Sequence, residues 1–218
     1  MLPKDTPDGS GLKSSPCFEA LGLSCYRDDL CLFEGLDLVL KPGDLLRVEG
    51  SNGSGKTSLL RILSGLSKPD DGEVLWNGVA IDRADSGFSA VLGYLGHLLG
   101  LKLDLTLEEN LRLKAALWGK KPSEKDLELA LQRMAISRCR FLRVRSLSQG
   151  QRQRVALMAL SLFGGSLWIL DEPFTALDVD GIALAESMLE SHLHQGGMVI
   201  VTSHQALSIQ AKSQRLVL

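Results

Sequence analysis

The 218-residue sequence predicts an α/β fold with a mainly parallel sheet, an antiparallel β subdomain and an inserted helical lobe. Strand and helix patterns alternate after residue 150. This alternation is typical of βαβ units, which build a parallel sheet with helices packed on it. Strand patterns in the first 80 residues, one of which ends in the hairpin dipeptide Asn77-Gly78, favour an antiparallel part. Between about residues 102 and 145 the pattern changes to helices alone, which predicts the lobe.

Each element is predicted from the spacing of its apolar residues. The second strand alternates well, with Leu36, Leu38 and Leu40 on one face. In the lobe, Ser123 is a suitable N-cap for the second helix. Strands are predicted at 18–24, 32–40, 45–48, 72–76, 91–95, 167–170 and 198–202, and helices at 59–63, at 107–118 and 127–134 in the lobe, from about 150, and at 182–194.

Composition narrows the class of protein. The net charge of −2, with both signs interspersed, argues against a nucleic-acid partner, because nucleic-acid binders usually carry a basic face. The four cysteines form no C-x-x-C pair and no metal spacing, so we expect reduced thiols in a cytosolic protein. No apolar run approaches the roughly 18 residues that span a bilayer. We therefore expect residues 1–16 to be a flexible tail, residues 17–218 to form a single domain, and any membrane role to come through a partner.

The most informative motif of the sequence is a glycine-rich loop at residues 50–57. Residues 50–57 match G-x-x-x-x-G-K-[ST] and lie between a predicted buried strand and a predicted helix, as this phosphate-binding motif requires. Its glycines let backbone N–H groups approach phosphate oxygens, and the helix dipole favours the anion. Lys56 should reach the outer phosphates, and the Thr57 hydroxyl should ligate Mg²⁺. We predict a P-loop NTPase core that binds ATP or GTP with magnesium, through Gly50, Ser51, Asn52, Gly53, Ser54, Gly55, Lys56, Thr57 and Ser58.

Two carboxylates follow the buried strand pattern at 167–170. An acid at the carboxyl end of such a strand is how phosphate-loop enzymes hold magnesium, so Asp171 is predicted to serve that ion, through water. Glu172 lies one residue further on and therefore points elsewhere. A carboxylate there can orient the attacking water and accept its proton, so Glu172 is the candidate general base.

A second motif is Leu147-Ser148-Gln149-Gly150-Gln151, which resembles the LSGGQ sequence of ATP-binding-cassette proteins. The resemblance extends from about Phe18 to Leu218, so it implies that residues 17–218 form one ABC ATPase domain. In that family this segment opens a helix that faces the γ-phosphate held by a second subunit. The resemblance therefore implies a dimer, of two copies or of this chain with another cassette, in which Ser148, Gln149, Gly150 and Gln151 contact the nucleotide of the partner. The Ser148 hydroxyl and the amides near Gly150 would supply donors there.

Other family positions match less directly. Asp178, in Ala176-Leu177-Asp178, resembles the family's D-loop, which crosses the dimer interface. His204 resembles the switch histidine that contacts the γ-phosphate. Tyr26 lies near the position where an aromatic residue of the family stacks on adenine. An equally good interpretation is a half-buried tyrosine at the end of a strand, with no role in binding. Where the family usually has a glutamine, eight residues before Thr106, this chain has Leu98, which leaves the coupling of lobe to site and the rate of hydrolysis open.

Several local strings resemble the ATP-binding subunits of haem exporters of cytochrome c biogenesis, among them residues 49–53, 72–76, 167–176 and 202–205. The resemblance implies a peripheral subunit on the cytoplasmic face of a bacterial inner membrane, bound to integral membrane transporter subunits. ATP hydrolysis would power haem export or the release of a haem-loaded chaperone, with no direct haem contact expected. Two other functions stay open: the ATPase of another exporter, or a soluble cassette scaffold such as one in iron–sulfur cluster assembly. The helical lobe is expected to dock onto the membrane partner. Residues 98–101 belong either to that contact or to the core of the lobe.

Overall fold

The computed structural model describes residues 17–28, 30–203 and 207–218. It contains a four-stranded antiparallel sheet of order β2-β1-β4-β5 and a five-stranded parallel sheet of order β6-β7-β8-β3-β9. The strands are β1 (Phe18–Arg27), β2 (Leu30–Leu40), β3 (Asp44–Glu49), β4 (Asp71–Trp76), β5 (Val79–Ala80), β6 (Leu92–Leu95), β7 (Leu167–Asp171), β8 (Met198–Thr202) and β9 (Lys212–Val217). The α/β fold class that the sequence predicts is thereby confirmed.

Six α-helices accompany the strands in the part of the chain that the structure describes. They are α1 (Lys56–Leu63), α2 (Phe88–Val91), α3 (Leu107–Leu117), α4 (Glu124–Arg133), α5 (Gln149–Phe163) and α6 (Val179–His194). The helices α3 and α4 lie in the stretch predicted as the helical lobe. Both begin with a capping box, formed by Thr106 with Glu109 and by Ser123 with Asp126, so the N-cap predicted at Ser123 is confirmed. The outer bounds of the lobe and of the tail stay predictions.

The parallel sheet separates two hydrophobic cores. Successive side chains of a strand point to opposite faces, so Trp168 and Leu170 of β7 join one core while Leu167 and Ile169 join the other. The first core also contains the apolar faces of α3, α4, α5 and α6. The second contains α1 and the inner face of the antiparallel sheet. The central strands β7 and β8 are therefore buried on both sides, as their continuous apolar sequences predict.

Three of the differences from the sequence prediction have a clear physical cause. The edge strand β9 was not predicted, because Lys212–Val217 carries four polar residues in succession and shows no apolar run. The strand predicted at 91–95 begins one residue later, because Phe88–Val91 forms the short helix α2. The last helix begins three residues earlier than predicted, because the Asp178 side chain caps it by accepting from the Gly181 amide.

The carboxyl ends of β3, β7 and β8 meet at one edge of the parallel sheet. Thr202 of β8 is paired with Val48 of β3 on one side and with Asp171 of β7 on the other. The strand β3 leads directly into the glycine-rich loop, which leads into α1. Ligands of open α/β sheets bind beyond the carboxyl ends of the strands, so this edge is where the functional site is expected.

Candidate nucleotide-binding site

The glycine-rich loop is shaped by residues that lack a Cβ. Gly55 has φ of 101° and is the N-cap of α1, with no side chain capping the helix, so its first amides stay available to an anion. A Cβ at Gly50 would lie 2.4 Å from Ser54 Oγ and 2.8 Å from the Leu218 carbonyl oxygen, so only glycine fits there. The loop therefore combines a helix N-terminus with tight backbone turns, as phosphate binding requires.

Lys56 is held over the loop by two carbonyl groups. Its Nζ donates to the Gly50 carbonyl oxygen over 2.7 Å and to the Ser51 carbonyl oxygen over 2.9 Å. These acceptors hold the ammonium group against the loop, and Lys56 contributes to the lining of the cleft beside it. An anion bound to the loop amides would lie near this charge.

Thr57, Asp171 and Thr202 form one hydrogen-bonded chain. Thr57 Oγ1 donates to Asp171 Oδ2 over 2.9 Å, and Thr202 Oγ1 donates to Asp171 Oδ1 over 2.8 Å. Asp171 and Thr202 are both buried. Both oxygens of the carboxylate are thus held by hydroxyl groups, which fixes the orientation of the Asp171 side chain beside the loop. Thr202 was predicted as the end of a strand, but it was not among the site residues predicted from the sequence.

The backbone of Glu172 is held in an uncommon conformation by a hydrogen bond. Glu172 is a non-glycine residue with φ of 51°, and its N–H donates to Thr202 Oγ1 over 2.9 Å. This left-handed conformation costs about 1–3 kcal/mol and persists where the surrounding structure imposes it. Because the backbone turns at this point, Glu172 follows Asp171 into the cleft, where both carboxylates contribute to the lining.

The loop, the two carboxylates and a hairpin enclose a cleft of about 360 Å³. This volume lies in the range of small-molecule sites. The hairpin formed by β1 and β2 contributes Arg27, Leu30 and Leu32 to the lining of the cleft. These three residues were not predicted from the sequence to lie at the site. The lining residues are Arg27, Leu30, Leu32, Asn52, Gly53, Gly55, Lys56, Thr57, Ser58, Asp171 and Glu172.

Tyr26 is placed differently from its predicted role. It is 45 % exposed and is not part of the cleft lining. The neighbouring Glu34 carboxylate raises the pKa of Tyr26, and the Tyr26 amide donates to Asp70 Oδ2 over 2.7 Å. The structure therefore brings Arg27, and not Tyr26, to the cleft. The predicted stacking of Tyr26 on adenine receives no support from this arrangement.

The predicted partner-facing residues lie away from the cleft of their own chain. Ser148 is the N-cap of α5, with its Oγ accepting from the Gln151 amide and its own amide donating to the Gln151 side chain. This capping box leaves Gln149 and Ser148 exposed at the helix N-terminus. Asp178 caps α6 and is ion-paired with Arg154, so its carboxylate is engaged within its own chain. His204 lies outside the described residues.

The helix α5 is fastened to the segment that follows Glu172. A Cβ at Gly150 would lie 2.6 Å from the Ala176 carbonyl oxygen, so the two backbones touch. The buried Gln153 donates from Nε2 to the Pro173 carbonyl oxygen over 2.8 Å. Arg154 adds the ion pair with Asp178. Gln153 and Arg154 were not predicted from the sequence, since their contacts depend on how α5 packs against the segment that follows Glu172.

Leu98, which stands where the resemblance expects glutamine, is 87 % exposed and does not line the cleft. Its neighbour Leu99 is half-buried and packs against the first core, as does Leu101. The predicted apolar stretch 98–101 thus divides between surface and core. No helix among the described residues combines the length and the apolar character that a membrane span requires.

The residues present fit a magnesium nucleotide. A hydroxyl and a carboxylate, both hard oxygen donors of the kind Mg²⁺ prefers, lie side by side at Thr57 and Asp171. They adjoin the loop amides and the Lys56 ammonium group, which suit phosphate oxygens. This fit agrees in chemistry with the ATP-binding loop predicted from the sequence, while the individual roles of the residues stay proposals.

The phosphate loop, the buried strand that ends in Asp171 and the capped helix α5 together define a P-loop ATPase. The family model described as ABC transporter matches residues 33–175, and the chain belongs to that family. It is therefore an ATPase subunit of the ATP-binding-cassette (ABC) class.

Two relatives that share one name match nearly the whole chain. A cytochrome c biogenesis ATP-binding export protein of Methylococcus capsulatus is 50% identical over 197 residues, which cover 90% of this chain and 95% of the relative. The protein of that name from Nitrosospira multiformis is 46% identical over 202 residues, with 92% of this chain and 98% of the relative covered.

Solved structures share the fold. An ABC transporter ATP-binding protein from Pyrococcus furiosus matches with a TM-score of 0.80 and 27% identity, covering 92% of this chain and 97% of the other. A dimeric ATP-binding cassette in a post-hydrolysis state, bound to ADP and phosphate, matches with a TM-score of 0.75 and 23% identity over 86% of this chain and 88% of the other. Cassettes of this fold are thus seen as dimers.

Proposed function

We propose that this chain is the ATP-hydrolysing subunit of a transporter of cytochrome c biogenesis, where it powers haem export or the release of a haem-loaded chaperone. It acts as a peripheral subunit on the cytoplasmic face of the inner membrane, bound to integral membrane subunits and paired with a second copy of itself or with another cassette. The observation that carries the proposal is the near full-length identity, 50% and 46%, to proteins named for ATP-binding export in cytochrome c biogenesis.

Within one chain, the cleft residues divide the work of hydrolysis. Lys56 and the loop amides bind and neutralise the β- and γ-phosphates. Asp171 and Thr57 would hold Mg²⁺, and Thr202 keeps the Asp171 carboxylate in place. When bound, Mg²⁺ supplies positive charge that stabilises the developing charge on the phosphate oxygens.

Glu172 orients and activates the attacking water. Water adds to the γ-phosphorus, the bond from that phosphorus to the bridging oxygen of ADP breaks, and Glu172 accepts the proton that water loses. His204 is proposed to sense the γ-phosphate. Catalysis of this kind consists mainly of positioning and electrostatics, which the fixed Glu172 backbone and the oriented Asp171 carboxylate support.

The site is completed by another subunit. The exposed N-terminus of α5, with Ser148, Gln149, Gly150 and Gln151, contacts the γ-phosphate bound in the partner's loop. Asp178 contributes to the same interface through the segment that it anchors to Arg154. ATP thus holds two cassettes together and hydrolysis releases them, which supplies the motion that the membrane subunits use.

Co-purification and complementation test the proposal together. A tagged chain is extracted in detergent from its own bacterial host, and its partners are identified. In a host from which the gene has been removed, we expect c-type cytochromes to be lost and to return with the wild-type chain. The Lys56→Ala variant should not restore them, whereas Lys68→Ala, which removes an exposed lysine outside the cleft, should.

The other functions predict different outcomes. Unchanged c-type cytochromes with loss of another exported compound would assign the chain to a different exporter. Recovery only in a complex without membrane subunits would favour the scaffold function and contradict the transporter.

A further inference from the structure

The cleft continues past the phosphate loop onto the β1–β2 hairpin. A Cβ placed on Gly55 would lie 3.1 Å from Leu32 Cβ and 3.5 Å from Phe33 Cδ1, so β2 rests directly on the loop. Leu32, Leu30 and Arg27 then extend the lining beyond the loop. A nucleotide whose phosphates occupy the loop would have its sugar and base beside this hairpin.

The pairing of the hairpin decides which residue faces the cleft. Arg27 is paired with Leu30 and Tyr26 with Cys31, and the register shifts between Cys25 and Tyr26. Neighbouring positions of a strand point to opposite faces, so Arg27 and Tyr26 cannot both face the cleft. The lining contains Arg27 and Leu30, whereas Tyr26 is 45 % exposed and is not part of it.

Arg27 has the chemistry to hold an aromatic ring. Its guanidinium group is planar and stacks on aromatic faces, and a purine presents such a face. Within residues 17–28, 30–203 and 207–218, Arg27 takes part in no ion pair. Leu30 and Leu32 add apolar surface on which a ring can pack. No aromatic side chain lines the described part of this cleft.

We propose that Arg27, with Leu30 and Leu32, forms the wall that holds the nucleobase, and that Tyr26 does not contact it. The inference deepens the proposed function and rests on its assignment of the cleft to ATP. It moves the base contact from the position that the resemblance suggests to the next residue, and it changes the contact from aromatic stacking to stacking of a guanidinium group.

Binding of two ligands separates contact with the base from contact with the phosphates. The magnesium complexes of ATP and of inorganic tripolyphosphate, which has no base, are titrated into the purified chain by calorimetry. Arg27→Ala should raise the Kd for ATP roughly three- to tenfold and leave the Kd for tripolyphosphate within about twofold. Arg27→Phe should restore the affinity for ATP, because it replaces one stacking plane with another, and Arg27→Lys should not.

The controls distinguish the inference from the function on which it rests. Arg83→Ala removes an exposed arginine outside the cleft, and Tyr26→Ala removes the competing candidate; both should keep the Kd for ATP within about twofold. The inference is overturned if Arg27→Ala weakens both ligands equally, or if Tyr26→Ala and not Arg27→Ala weakens ATP. A wild-type chain that binds neither ligand, with Lys56→Ala unchanged from it, would instead remove the proposed function, and the inference with it.

Discussion

Thr57 Oγ1 donates a hydrogen bond to Asp171 Oδ2 over 2.9 Å, and this bond joins the start of α1 to the end of β7 across 114 residues of sequence. The two groups are separated in the chain but share one corner of the cleft. A hydroxyl and a carboxylate at this separation can both turn to one cation. The relationship is therefore the part of the site on which the proposed magnesium dependence rests.

Thr57→Val tests that relationship with little change of shape. The substitution removes the hydroxyl, so the magnesium concentration for half-maximal ATP hydrolysis should rise roughly 10- to 100-fold. Thr57→Ser keeps the hydroxyl and should stay near the wild type. A magnesium titration of the hydrolysis rate provides the measurement, and equal curves for Val and wild type would exclude Thr57 as a ligand.

Thr202 is expected to position both carboxylates. Its buried Oγ1 donates to Asp171 and accepts from the Glu172 amide, so Thr202→Val leaves two polar groups unsatisfied. We expect a loss of about 1–3 kcal/mol in the free energy of unfolding and a fall in kcat of roughly tenfold or more. Thr202→Ser retains the hydroxyl and should recover kcat. If Val and Ser behave alike, the hydroxyl has no positioning role.

Gly150 is expected to be intolerant of a methyl group. An alanine there would place its Cβ 2.6 Å from the Ala176 carbonyl oxygen, so α5 must shift away from the segment after Glu172. Gly150→Ala should lower kcat roughly tenfold or more, while the Kd for ATP of the monomeric chain stays near the wild type because Gly150 does not line its own cleft. Parallel binding and rate measurements check this split, and unchanged kcat would contradict it.

A charged cluster links α3 and α4 and makes their stability depend on pH. The Arg140 side chain, 15 % exposed, bonds to Glu108 over 2.6 Å and to Glu124. The hydrogen bond from Arg140 lowers the pKa of Glu108 below its ordinary value of 4.5. A lowered folded-state pKa stabilises the fold above the unfolded value, and this contribution is lost as the pH falls through the folded value.

Arg140→Gln removes the main partner of Glu108 and with it the larger part of the linkage, while Arg112 still bonds to Glu108. We expect the free energy of unfolding at pH 7 to fall by about 1–3 kcal/mol. The loss of stability on acidification below about pH 4.5 should be smaller in the variant than in the wild type. Urea unfolding at several pH values measures both. A variant that loses as much stability in acid as the wild type would show that Glu108 does not carry the dependence.

The sequence was sufficient for features that depend on neighbours along the chain. The glycine-rich loop, the strand ending in Asp171 and the cap at Ser123 are each defined by a few consecutive residues, and their local conformations are as expected. The strand β9 escaped prediction because an edge strand needs one partner and little burial, so Lys212–Val217 carries polar residues at most positions.

Features that depend on register could not be predicted. Thr202 acquires its role because β8 pairs it with Asp171, which no local pattern specifies. Tyr26 and Arg27 are adjacent, and an irregularity in the pairing of β1 with β2 decides which of them faces the cleft. The contact of Gln153 with the Pro173 carbonyl depends on how α5 packs against the segment that follows Glu172, and His204 lies outside the described residues.

The central claim, an ATP site completed by a second subunit, is tested most directly by the Glu172→Gln variant in light scattering with and without ATP. Because this variant should bind ATP without hydrolysing it, we expect a monomer without nucleotide and a stable dimer at saturating ATP. Adding Ser148→Arg, which blocks the N-terminus of α5, should abolish the dimer while ATP still binds. A chain that stays monomeric at saturating ATP, or a dimer that Ser148→Arg leaves intact, would contradict the account.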